Sequence, residues 1–173
     1  SLSKETANGL YRNQYLDKDD TNGIDETYAR LKILNTGANY EALVTLLHAN
    51  VNNGFDAFSL DNTLNTLSDE PGFDRQKTNA LAARITLSLN QHRLEVLGTL
   101  SRSELGYGYD EDWSFVGIHP FGYQSTDHYL RNRRHQALEV RLMPKAAGEA
   151  FNQRGDWVIG LYRTQQGTEL TRL

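Results

Sequence analysis

The sequence predicts an all-β protein, an antiparallel up-and-down meander of about seven strands. Two observations lead to this prediction. Several segments alternate apolar and polar residues, and the 173 residues include 14 Gly and nine Tyr but only three Pro. A period of two residues is typical of a strand with one apolar face, and aromatic residues are enriched in strands.

Seven segments show the alternation. In chain order, the predicted strands are residues 9–16, 26–35, 41–49, 79–89, 93–101, 135–143 and 156–162. The first is weakly patterned, with Tyr11 and Tyr15 on one side and Arg12 on the other. The second is clear, because its apolar residues alternate with Arg30 and Lys32.

The later segments repeat this scheme. The third is apolar on both faces apart from Thr45 and His48, and the last places Trp157, Ile159 and Leu161 on one side. In the fourth to sixth segments the charged residues avoid the apolar face. These residues are Arg84, Glu95, Glu139 and Arg141.

The connections differ in length. Residues 52–76 and 106–133 have no helical or strand period and are predicted to be two very long loops, a length that usually has a functional reason. Long and short connections tend to alternate, which in a meander places the long ones at one edge of the sheet. Outer-membrane β-barrels have this asymmetry.

A soluble β-sandwich also alternates apolar and polar residues, so patterning leaves both architectures open, and the loop asymmetry favours the barrel.

Composition narrows the function classes. A net charge of -4 gives no basic footprint, so nucleic acid is not a predicted partner. The absence of Cys excludes disulfides and cysteine nucleophiles. No apolar run reaches the ~18 residues of a spanning helix, and the N-terminal residues lack a signal-peptide core. Without G-x-S-x-G, H-E-x-x-H or a phosphate-binding glycine loop, we predict no enzyme, cofactor or metal.

Several runs resemble a known family. NNGFDAFSLDNTLNTLSDEPGFDRQ, YDEDWSFVG, GYQSTDHYLRNRRHQALEVRL and DWVIGLY look, in this order and spacing, like the barrel region of TonB-dependent outer-membrane receptors. The resemblance covers roughly residues 8–162. Its most specific parts are the loop after the third strand and the D-x-Y-L-R-x-R entry to the sixth.

The resemblance implies a parent with a ~22-stranded barrel, closed by an N-terminal plug domain, in the bacterial outer membrane. Such receptors import ferric siderophores or similar scarce nutrients, with energy from a TonB complex through the plug. The chain has no plug, no TonB box and few strands. We therefore expect residues 1–173 to be a partial barrel domain of such a receptor, with no signal peptide. Its expected partners are outer-membrane lipid, the plug and remaining strands, and the imported ligand.

Two sets of site residues follow. The candidate ligand-binding residues in the loops are Phe55, Phe58, Tyr107, Tyr109, Trp113, His119, Tyr123, His128 and Arg131. The charged residues expected to face the lumen are Arg30, Lys32, Arg84, Glu95, Glu139 and Arg141. The alternative is a soluble β-sandwich that binds glycans through Trp113 and nearby tyrosines, since rigid aromatics supply contact area at low entropy cost.

Other motifs have simpler interpretations. DKDDTNGIDETY has carboxylates at alternate positions that would suit calcium, but Asn22 replaces the glycine of an EF-hand loop, and a solvated hairpin loop is the preferred interpretation. His119, His128 and His135 could ligate a metal, yet their spacing fits no short motif. Arg131, Arg133 and Arg134 could attract an anionic ligand or lipid phosphates, or pair with acidic residues of neighbouring loops.

Overall fold

The computed structural model describes residues 1–145 and 155–173, which are all-β. None of these residues belongs to a helix that could cross a membrane. The strands are β1 Leu2–Ala7, β2 Arg12–Asn13, β3 Ile24–Gly37, β4 Tyr40–Phe55, β5 Asn65–Thr66, β6 Gly72–Ser88, β7 His92–Asp110, β8 Thr126–Pro144 and β9 Ile159–Arg172.

Seven of the strands form one antiparallel sheet in the order β1-β3-β4-β6-β7-β8-β9. Each strand pairs with the sheet strands that precede and follow it in the chain, so the predicted up-and-down meander is confirmed. The remaining strands, β2 and β5, pair in parallel over two residues. They lie within connections and link two of these together.

The first predicted strand, at residues 9–16, is wrong. The strand that pairs with β3 is β1, whose sequence LSKETA has no apolar face and is exposed throughout. Residues 9–16 turn instead, since Gly9 and Asp17 have positive φ and the Asn13 side chain accepts a hydrogen bond from the Leu16 amide at 2.8 Å. A side chain that bonds nearby backbone in this way competes with a strand ladder.

The two long loops are shorter than predicted. Strands β4 and β6 extend to Phe55 and from Gly72, and β7 and β8 extend to Asp110 and from Thr126. The loops are therefore residues 56–71 and 111–125. The added strand ends mix polar residues and glycine with a few aromatic residues and do not continue the apolar period of the strand centres, but backbone ladders form without it.

The connections are sorted between the two ends of the sheet. Residues 8–23, 56–71 and 111–125 all lie at one end, the long-loop end, and the turns 38–39 and 89–91 lie at the other, the short-turn end. The connection between β8 and β9 also starts from the short-turn end. Residues 146–154 of that predicted connection lie outside the described residues.

Strand register divides the sheet into two faces. Leu31, Leu46, Leu81 and Leu100 are consecutive cross-strand partners, and they define the apolar face. Its apolar band, next to the short-turn end, consists of Leu31, Ile33, Val44, Leu46, Leu81, Ile85, Leu87, Leu94, Val96, Leu100, Leu138, Val140, Leu142, Ile159 and Leu161. From Leu81 to Leu87 the band extends ~20 Å at about 3.4 Å per residue.

The opposite face, the polar face, carries the six charged residues that we predicted to share one side. The register places Arg30, Lys32, Arg84, Glu95, Glu139 and Arg141 together there. Ion pairs join Arg84 to Glu41 at 3.1 Å and Arg141 to Glu139 at 2.6 Å. Both pairs are largely exposed, so each stabilises the sheet by at most ~1 kcal/mol.

The apolar face is not covered by any described part of the chain. Leu31 is 54% exposed and Leu138 is 50% exposed, and Ala49 is the one buried apolar residue that the structure describes. A β-sandwich needs a second sheet packed on this face. Residues 1–145 and 155–173 form a single large sheet, so the alternative architecture is not adopted by this part of the chain.

Candidate functional site

The three connections at the long-loop end are joined to one another. Arg12 and Asn13 in the first connection pair with Asn65 and Thr66 in the second. The second is joined to the third by the Asp69 amide, which donates to the Ser114 carbonyl at 3.0 Å. These contacts make one structured cap from three separate loops.

Asn13 is the centre of this cap. Its side chain is fully buried, and its Nδ2 donates to Asp56 Oδ2 and to the Ser68 carbonyl, both at 2.8 Å. Thr66 Oγ1 donates to the same Asp56 oxygen at 2.8 Å. Buried polar groups need such partners because water is excluded. The polar network therefore takes the place of an apolar core at this end.

Five aromatic rings form the aromatic cluster beside this network. Its members are Phe55, Phe58, Tyr107, Tyr109 and Trp113. Phe58 is central: it stacks on Trp113 with ring centroids 4.9 Å apart and contacts Tyr109 edge-on at 5.8 Å. Phe55 and Tyr107 lie on the polar face by register. The cluster therefore stands at the long-loop edge of the face that carries the charges.

Trp113 has an unusual backbone conformation. Its φ is 60°, a left-handed conformation that costs a non-glycine residue about 1 to 3 kcal/mol. Its chain neighbours fix it, since Asp112 Oδ1 accepts from the amide and the hydroxyl of Ser114 at 3.0 and 2.8 Å. The indole remains 38% exposed. A strained backbone thus presents a large aromatic surface to solvent.

A charged network borders the cluster. Asp127 is buried and accepts two hydrogen bonds from the Arg172 guanidinium, at 2.8 and 2.6 Å, and one from the Tyr129 hydroxyl at 2.7 Å. These bonds, with Arg172 first, lower the pKa of Asp127 to about 2. Tyr109 also donates to it at 3.4 Å. The end of β9 is thereby tied to the aromatic cluster.

Asp110 behaves in the opposite way. It is 6% exposed at the end of β7, where its Oδ1 accepts a hydrogen bond from the Asp112 amide at 3.2 Å and its carboxyl lies beside the Ser68 side chain. Burial raises the pKa of Asp110 to about 6, because a charged carboxylate is poorly solvated there. Both carboxylates lie beyond the apolar band, at the loop end of the sheet.

The structure brings together five of the nine predicted ligand-binding residues, the aromatic cluster. Arg131 lies on the polar face too, opposite Leu105. His128 lies on the apolar face, because it is the partner of Gly108, and contacts the Phe73 ring. His119 and Tyr123 are exposed in the 111–125 loop, and no ring contact of theirs joins the cluster.

Metal binding has no support from the geometry. Within residues 1–145 and 155–173, no group of three or more His, Asp or Glu side chains is placed to hold a metal ion. The calcium hypothesis concerned residues 17–28, and in the structure Asp17 pairs with Arg12 at 2.6 Å. His128 and His135 lie on opposite faces of β8.

Several important residues were not predicted. They are Asn13, Asp56, Thr66, Asp69, Ser114, Asp127 and Arg172. The one signal for them is short polar residues in loops, which commonly cap turns, and this does not separate buried from solvated ones.

Comparisons with protein-family models, with curated proteins and with solved structures found no match for the chain.

Replacing Asn13 by Ala is expected to loosen the cap. Both Asp56 Oδ2 and the Ser68 carbonyl would lose a buried donor, at a cost of about 2 kcal/mol or more. Hydrogen exchange of the Asp69 amide, which donates to the Ser114 carbonyl of the third loop, measures the effect and should become faster. Asn8→Ala is the matched control, because Asn8 is an exposed asparagine in the same connection. Equal exchange in both variants would contradict the central role of Asn13.

Replacing Asp110 by Asn is expected to change how stability depends on pH. The pKa of Asp110 rises on folding from 3.8 to about 6, so folding favours the protonated form, and stability is lost as pH rises from 4 through 6. At pH 7.5 the neutral Asn should be more stable by about 1 to 3 kcal/mol, and at pH 4 the difference should vanish. Urea unfolding followed by Trp fluorescence measures both.

Asp127→Asn is expected to change stability in the opposite direction to Asp110→Asn. The pKa of Asp127 falls to about 2 on folding, so its stabilisation is present above pH 4 and is lost as pH falls towards 2. This variant should be less stable than the parent at pH 7.5. An Asp110→Asn protein that is also less stable at pH 7.5 would show that the Asp110 carboxylate is satisfied by its surroundings.

Proposed function

We propose that the chain is part of a TonB-dependent outer-membrane receptor whose parent protein imports a ferric siderophore or a similar scarce nutrient. The seven-stranded sheet is one sector of the barrel wall. Its apolar face meets lipid, and its polar face lines the lumen and contacts the plug domain. The part played by this chain is binding and passage of the ligand, not catalysis.

The observation that carries the proposal is the uncovered apolar band. A band of leucine, isoleucine and valine that spans six strands is a large exposed patch, and such patches are typical of surfaces that meet another apolar phase. Lipid is the phase that fits a single antiparallel sheet with polar residues behind it. The sorting of long connections to one end supports the same assignment, with the long-loop end facing outward.

The free edges of the sheet support a larger parent. The outer edges of β1 and β9 pair with no other described strand, which leaves backbone donors and acceptors open. In a bilayer, unpaired backbone groups are too costly to persist, so a spanning sheet must close. Further strands of the parent barrel would complete both edges, and the TonB complex would act through the plug.

The aromatic cluster is the proposed ligand contact. It lies at the long-loop end and partly on the polar face, where a ligand would enter the lumen. Phe58 and Trp113 offer a stacked pair held by the cap, so little side-chain entropy is lost on binding. Arg131, on the same face, supplies a cation for an anionic iron chelate.

Lipid contact of the apolar face is tested by paired substitutions in β6. Ile85→Arg places a charge inside the apolar band, where it costs about 2 to 4 kcal/mol near the membrane midplane. Thr86→Arg, one residue away, places the same charge on the polar face. We expect Ile85→Arg to block membrane assembly of the full receptor, and Thr86→Arg to assemble as the unmodified receptor does, measured by protection from protease. Equal assembly of both variants would refute lipid contact.

Ligand contact is tested by fluorescence of Trp113. With Trp157→Phe as background, Trp113 is the one remaining tryptophan, and ferric siderophores should quench it on binding. Phe58→Ala removes the ring stacked on Trp113 and should weaken affinity about tenfold or more, as loss of a central aromatic contact does. Tyr40→Ala is the control, because Tyr40 is an exposed aromatic residue at the opposite, short-turn end of the sheet. Quenching by glycans and by no iron chelate would favour the glycan alternative.

A further inference from the structure

A cavity on the apolar face lies at the border between the apolar band and a polar region. It has a volume of about 690 Å³, and Leu81, Leu100, Arg102 and Arg134 contribute to its lining. A second cavity of about 470 Å³ continues from it into the band, where Ala83, Gly98 and Leu138 line it and Arg163 stands at its border. The two cavities share Leu81 and Leu100, so together they form one groove with two arginines at one end and a mostly apolar channel at the other.

The cationic end carries two exposed arginines side by side. Arg102 and Arg134 are direct cross-strand partners, an arrangement in which like charges destabilise the sheet. Arg102 is partly neutralised by Glu104 at 3.3 Å. Arg134 has no hydrogen bond or ion pair with another residue that the structure describes. An anion between the two guanidinium groups would turn this repulsion into attraction, and phosphate suits arginine geometry.

The apolar end has room for a hydrocarbon chain. A Cβ placed on Gly98 would meet no atom within 4 Å, and the cross-strand partners of Gly98 are Ala83 and Leu138. The two small residues leave a depression in a row of the apolar band that otherwise carries larger side chains. The groove therefore combines an apolar channel with a pair of arginines at the edge of the band nearer the long loops.

We propose that this groove binds a phosphorylated lipid, with one acyl chain along Gly98 and the phosphate between Arg102 and Arg134. The inference rests on the proposed function, because it needs the apolar face to contact a bilayer. It adds a specific lipid site to a surface that otherwise meets lipid without selectivity. Arg134 should contribute more than Arg102, since Glu104 competes for Arg102.

Native mass spectrometry of the detergent-solubilised chain with phosphatidic acid tests the site. We expect bound phosphatidic acid to exceed bound phosphatidylcholine, and Arg134→Gln to weaken phosphatidic acid about fivefold, the effect of one arginine near a charged lipid. The double variant Arg102→Gln, Arg134→Gln should weaken it about 20-fold. Arg133→Gln is the matched control, because it removes the same charge from the adjacent, opposite face. A loss equal to that of Arg134→Gln in the control would overturn the proposal.

A second variant tests the apolar end of the groove. Gly98→Val fills the depression; a Cβ at this position meets no atom within 4 Å, and valine favours strands, so the sheet should remain intact. The variant should lose phosphatidic acid binding, while the full receptor that carries it still assembles in the membrane. Retained binding would overturn the acyl-chain position. Inorganic phosphate should not compete at millimolar concentration, and competition would assign the arginines to a free anion.

The outcomes separate this site from the proposed function. Equal membrane assembly of full receptors with Ile85→Arg and with Thr86→Arg would overturn both, because the apolar face would then not meet lipid. If Ile85→Arg alone blocks assembly, but the chain binds phosphatidic acid and phosphatidylcholine equally, the lipid site alone is overturned.

Discussion

Because Ala49 is the one apolar side chain buried among the described residues, the antiparallel hydrogen-bond ladder holds this sheet together in place of a core. Every sheet strand pairs with its chain neighbours over many consecutive residues, 19 of them between β7 and β8. The ladder satisfies backbone donors and acceptors inside the sheet, but leaves one layer with two faces. A single layer buries little apolar surface within the described residues, so hydrophobic burial offsets only a small part of its conformational entropy.

The connections at the two ends of the sheet are held in place in different ways. At the short-turn end, two- and three-residue turns leave the backbone little freedom. At the long-loop end, three connections would be mobile if each were solvated separately. Asn13, Asp56 and Ser114 prevent this by linking the connections through buried hydrogen bonds. The rigidity of Trp113 and its neighbours follows from this polar cap, so the site residues depend on residues that make no aromatic contact.

Sequence patterning predicted the faces of the sheet well and its margins poorly. Leu31, Leu81 and Arg84 were assigned to the correct sides. Successive side chains of a strand point to opposite faces, so placing one residue of a strand fixes the face of all the others. The strand β1 was missed, since LSKETA has no apolar side, and pairing at an exposed edge needs none. The ends of β4 and β7 were missed because the apolar period of the strand centres stops there, whereas the ladder depends on backbone groups.

The site was predictable in its chemistry and not in its assembly. Aromatic residues in the long loops marked the cluster, but Asn13 bonds with residues 43 and 55 positions away, a separation that no local pattern reports. His128 was grouped with Tyr109, although β8 turns it to the opposite face. Placing His128 on its face requires knowing that β7 and β8 extend as far as Asp110 and Thr126. The residues at these strand ends do not show the apolar period from which the strands were predicted.

The meander order also dictates how the chain can fold. Since each sheet strand pairs with its sequence neighbours, no pairing waits for a distant segment to be synthesised. The hairpins β3–β4 and β6–β7 close through the shortest loops and therefore lose the least chain entropy on closing. They can form as local units within microseconds. The cap that organises the aromatic cluster joins three connections that are far apart in the chain, so it can be completed only once the strands on either side of them are paired.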